Sequence, residues 1–129
     1  MAISNIHETL LMYTKQKSAI NAQLSSVMLN MVSASRKNAD MQKEYNEKLQ
    51  EAYYDPEYGY GTDEYEMIIE DYENDHNFDL AQLESWESEL ELEKNNLEAK
   101  LNEITSYEAS WQKMLSNNIK NDFKYGGVQ

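Results

Sequence analysis

The helix breakers of this chain are confined to two places, and this decides what it can fold into. Its one Pro and four Gly are Pro56, Gly59, Gly61, Gly126 and Gly127. Pro and Gly are the residues that most weaken a helix interior. The chain therefore consists of two stretches with nothing to stop a helix, joined by one short break. Long helices are marginal in water unless they bury an apolar stripe. With no other element in the sequence, each stripe must pack on the other helix or on another copy.

The first stretch carries such a stripe. Ile3, Leu10, Leu24 and Met31 recur at seven or multiples of seven. Ile6, Tyr13, Ile20, Val27, Ala34 and Met41 follow three positions later. These are the a and d rows of a heptad. Lys17 and Asn38 interrupt the a row. A polar residue there costs stability but can fix register or partner number, and a Lys can also carry its ammonium out past the seam. The pattern predicts a helix over about 4–52, roughly 70 Å long at ~1.5 Å per residue. Asn5 and Glu8 have the spacing of a capping box, with Ser4 as a rival cap. Arg36, Lys37, Lys43 and Lys48 gather toward the C-terminal end, where the helix dipole favours cations.

The break reads Tyr53-Tyr54-Asp55-Pro56-Glu57-Tyr58-Gly59-Tyr60-Gly61. Pro56 turns Asp55 away from helix, and the glycines admit positive φ. Thr62 or Asp63 is the expected cap of a second helix over about 63–120. Its strongest row is Leu83, Leu90, Leu97, Ile104 and Trp111, seven apart each time. Trp86, Tyr107 and Met114 flank it on one side, and Leu80, Leu101 and Leu115 on the other. Gly126 and Gly127 close a short tail.

The expected fold is therefore all-α, a single long antiparallel, coiled-coil-like helical hairpin with a turn at 53–62. Pivoted at Glu57, residue i faces residue 114 − i. Met31 then meets Leu83, Leu24 meets Leu90 and Ile3 meets Trp111. The same pivot brings Lys43 to Asp71 and Lys48 to Glu66. Residues 116–129 form an overhang beyond the first helix. It holds Ile119, Phe123 and Tyr125, apolar groups suited to an intermolecular contact. Leu11, Met28, Leu29, Leu80, Leu101 and Leu115 stand off the central seam and argue for a second interface.

Charge limits the partners. The net charge is −13. Residues 51–79 hold eleven acids and no Lys or Arg, whereas residues 1–50 carry six Lys/Arg against four acids. Phosphate backbones and anionic lipid both need basic charge, so nucleic acid and lipid surfaces are disfavoured. No run of 18 apolar residues is long enough to span a membrane. The N-terminus lacks the charged start and apolar core of a cleaved signal peptide. Cytoplasmic residence, or export by a route that needs no such signal, fits the sequence.

Little in the chain asks for chemistry. There is no Cys, no Gly-rich phosphate loop and no nucleophile elbow. Asp55, Glu57, Asp63 and Glu66 occupy positions one, three, nine and twelve of a calcium loop, but Tyr60 stands where the sharp bend needs Gly. His7 and His76 fall at distant places in the hairpin. No catalytic, cofactor-binding or metal-ligating residue is expected. Six of the ten tyrosines lie between Tyr53 and Tyr72, and Tyr54, Tyr58 and Tyr60 make the acidic turn a candidate docking surface.

In outline the chain resembles the small helical hairpins exported by bacterial specialised secretion systems. It shares the coiled-coil hairpin with type III needle and filament subunits, and the size with ESX-type hairpins. The Trp-x-Gly turn of the ESX group is replaced here by Tyr58-Gly59-Tyr60-Gly61. Tyr60-x-x-x-Glu64 has the group's export spacing, but in the turn. The resemblance implies a non-enzymatic structural subunit that works by helix–helix association. The rival expectation is a small acidic adaptor or chaperone that docks a basic client through its Tyr-rich turn.

Overall fold

The computed structural model describes residues 3–126, with side chains for residues 3–121. The protein is an all-α helical hairpin. Helix α1 spans Ile3–Tyr53 and helix α2 spans Asp63–Gly126. Among the described residues no helix is long and apolar enough to cross a membrane.

The chain divides into two compact units, residues 28–92 around the turn and residues 1–27 with 93–129. In the second of these, Ile6, Ile20, Val27 and Leu97 are buried. Ile6 is 0% exposed, the only large side chain fully enclosed among those described. Ile3, Leu10, Tyr13, Leu24, Ile104 and Trp111 are half-buried along the same rows. In the turn unit the corresponding core is Ala34, Ala52, Leu83 and Leu90. Each core is one seam wide, which is what two facing heptad stripes can enclose.

The register differs from the expected one by about a heptad. Tyr13 meets Tyr107 at a tilt, with ring centroids 6.2 Å apart, and is not beside Leu101. Tyr45 stacks on His76 at 4.1 Å, and not beside Ile69. The pivot lies near Tyr60–Gly61 rather than Glu57, and each residue of pivot shift moves a facing partner by two. The apolar rows survive because the shift is nearly one repeat. The charge pairs do not. Lys43–Asp71 and Lys48–Glu66 are absent from the ion pairs of the described residues, and the Lys48 ammonium lies 5.6 Å over the Tyr72 ring instead.

The helix ends also differ. α1 begins at Ile3, so Ser4 and Asn5 lie inside its first turn and neither caps it. The Asn5 carbonyl instead accepts from Thr9 Oγ1 at 2.9 Å. α2 continues to Gly126 rather than stopping near Lys120, since nothing before Gly126 breaks it. With the shifted register Ile3 is level with about residue 117, not Trp111, so the overhang is shorter than 116–129.

The turn explains the pivot. Asp55 Oδ1 accepts from the amides of Glu57 and Tyr58, both at 2.8 Å, closing a side-chain-mediated turn over Pro56. Tyr60 N returns to the Tyr53 carbonyl at 3.1 Å. Gly59 is packed so closely that a Cβ would overlap the Asp55 carbonyl oxygen and press on that of Tyr53. Gly61 has φ +97°, a region costly for any side chain. Thr62, rather than Asp63, caps α2: its Oγ1 accepts from Tyr65 N at 3.1 Å and donates to the Gly59 carbonyl at 2.8 Å. Asp63, Glu64 and Glu66 follow in the first turn, where the helix dipole favours acids.

Candidate interaction surface

The polar interruptions of the seam are its most specific features. Lys17 does not run out to solvent. Its Nζ lies 3.0 Å from Glu108 Oε1, with the two side chains 31% and 16% exposed. Glu108 belongs to the row Leu80, Glu87, Lys94, Leu101, Glu108 and Leu115, all half-buried. Leu80, Leu101 and Leu115, expected as off-seam residues, are half-buried on the same row of α2. In the turn unit, Asn38 lines a cleft with Met31, Ser35, Glu87 and Glu91. Its Oδ1 is buried with no hydrogen-bond partner.

The turn packs its own aromatics. Tyr53 stacks on Tyr60 at 4.9 Å and meets Tyr54 and Tyr65 edge-on. Tyr60 also meets Tyr65 edge-on. The cluster still leaves Tyr54 and Tyr60 77% and 70% exposed, and Tyr58 is exposed as well. All eleven acids of residues 51–79 are exposed. Asp55 has its carboxyl held below the ordinary range by the Tyr58 amide and then the Glu57 amide. No three His, Cys, Asp or Glu gather in a metal-holding group among the described residues. None of the polar or charged side chains described is buried.

Two apolar patches face outward on α1. In the turn unit Met28, Leu29 and Val32 are exposed, Leu29 by 69%. In the other unit Leu11 and Met12 are half-exposed, as is Ile119 on α2. Phe123 and Tyr125 lie within α2, and their side chains fall outside the described residues. Val32 and Met12 are not among the expected interface residues. A signal exists for Val32: from Ser18 to Ser35 the chain has no charged residue. A solvated helix face ordinarily carries charges.

What the fold and surface define is an all-α helical hairpin whose distinguishing features are on its outside. Comparison with protein-family models, curated proteins and solved structures gives no match.

Proposed function

We propose that the protein is a non-enzymatic structural subunit that acts by helix–helix association with copies of itself. The observation that carries this reading is the exposed Met28, Leu29 and Val32 on a stretch of α1 without charge. An amphipathic helix in a two-helix hairpin has one partner and needs one apolar stripe. A second, outward apolar patch has no role inside the hairpin and suits a lateral contact between copies. The outline shared with exported needle and filament subunits supports an assembly of the filament type.

The test is the pair Leu29→Glu and Val32→Glu. Both positions are exposed and Glu is a good helix former, so helicity should hold. Sedimentation should show at least a tenfold weaker self-association than the unmodified chain. Unaltered association would remove the lateral face from the account. A second reading rests on Tyr54 and Tyr60, exposed among acids: the turn docks a basic client protein. It takes precedence if the unmodified chain does not self-associate.

A further inference from the structure

The turn unit carries a groove that the lateral contact does not use. Leu49, Gln50, Tyr53, Tyr54, Tyr65 and Ile69 line it, so its walls are aromatic and aliphatic except at Gln50. Residues 51–79, which supply Tyr53, Tyr54, Tyr65 and Ile69 to it, hold eleven exposed carboxylates and no Lys or Arg, while Lys48 adjoins its α1 wall. A partner for such a surface must be apolar along one stripe and basic beside it. Tyrosine faces add to this preference, since their ring quadrupoles attract ammonium groups. Lys48 over Tyr72 is an instance within the unit itself.

The chain contains a segment of that description. Residues 113–126 of α2 hold Lys113, Lys120 and Lys124 against the single acid Asp122. Ile119 and Phe123 stand four apart, as do Lys120 and Lys124, the spacing that puts like residues on neighbouring turns of one helix face. α2 stays helical to Gly126, past the level of Ile3. Ile119 is half-exposed there.

We propose that the groove receives the basic C-terminal end of α2 from a second copy, as a helix laid in an apolar groove. This inference rests on the reading of the protein as an assembly subunit and assigns it an end-to-end contact besides the lateral one. The contact joins two different surfaces, so it is heterologous and leaves a groove and an end free on each pair. Repetition gives an open filament unless the rotation closes a ring. Its strength falls with added salt, because charge complementarity supplies much of the attraction.

The test uses the full chain carrying Leu29→Glu and Val32→Glu, which removes the lateral face. Two variants are made on that background. One has Lys113→Gln, Lys120→Gln and Lys124→Gln. The other has Gln50→Arg and Tyr54→Ser, both at exposed positions. Circular dichroism confirms that each remains helical. The parent is expected to grow in mass with concentration and to shrink in high salt. Each variant alone should stay at the chain mass of 15.1 kDa, and their mixture should give a species of twice that mass. That mixture retains one intact groove and one intact end. Growth of either variant alone, or a mixture that stays at single-chain mass, overturns the end-to-end contact. So does a parent that stays at single-chain mass, and that result leaves the lateral reading standing, since the lateral face was removed by design.

Discussion

Lys17 and Glu108 meet across the hairpin at 3.0 Å, Lys17 in a row with Leu10 and Leu24 and Glu108 in a row with Leu101 and Leu115. The pair is half-buried, so it is neither a solvent-screened surface contact nor a fully desolvated one. Removing one partner leaves the other charge in an apolar seam. Lys17→Met and Glu108→Leu should each destabilise the protein by about 1–2 kcal/mol. The double substitution should recover most of that loss, since a packed apolar pair can replace an ion pair at little cost. Urea unfolding of the four proteins measures the coupling. Additive losses would mean that the two side chains do not interact.

Asn38 makes the complementary case. Its Oδ1 is buried without a hydrogen bond, which costs stability. Asn38→Leu should raise stability by about 1 kcal/mol and loosen the choice of register, the role best attested for a polar a position. The check is a thermal melt combined with cross-linking of Tyr45→Cys to His76→Cys. A variant that melts higher but forms this cross-link less completely fits the account. One that melts lower would show that Asn38 has a partner in solution.

The turn should be intolerant at one glycine and only strained at the other. Gly59→Ala drives a methyl into the Asp55 and Tyr53 carbonyls and should cost more than about 2 kcal/mol. Gly61→Ala meets open space and bears only the cost of positive φ, about 1 kcal/mol. Equal losses in denaturant titrations would contradict the packing described around Gly59.

Two groups give pH signatures of opposite sign. The Asp55 carboxyl is held below its ordinary value of 3.8 by the Tyr58 and Glu57 amides. Its contribution is complete above that value and is lost as pH falls through the lower, folded one. Asp55→Asn keeps the acceptor but cannot titrate, so its melting curve should lose that part of the acid sensitivity and remain near wild type at neutral pH. The Tyr107 phenol donates to Glu103 Oε1 at 2.9 Å, and this bond, then the Glu103 charge, raises it above 10.0. Its contribution is complete below about pH 10 and is lost as pH rises further. Glu103→Gln should lower the Tyr107 titration as followed by phenolate absorbance. An unchanged titration would deny the contact.

Most of the fold could be read from the sequence, and the reason is physical. A strict seven-residue repeat admits one inward face per helix, and Pro56 with Gly59 and Gly61 leaves one place to turn. The register was harder because a repeat is indifferent to slips of its own length. Tyr13 fits against Leu101 nearly as well as against Tyr107, and only the local hydrogen bonds of Asp55 and Gly59 decide. The charge pairs inferred from the wrong pivot failed for the same reason. Lys17 was recognisable as an interruption, but its partner was not, because Glu108 looks like any other acid on an acidic helix. Of the outward face, Leu11, Met28 and Leu29 stood out as apolar residues off the seam. Val32 and Met12 did not; Val32 takes its meaning from the missing charges between Ser18 and Ser35.

The central claim is that copies of this chain associate. Light scattering of the unmodified chain across a hundredfold concentration series tests it most directly. The account predicts a mass that climbs from 15.1 kDa through multiples of it as concentration rises. A mass fixed at 15.1 kDa over the whole series would contradict it.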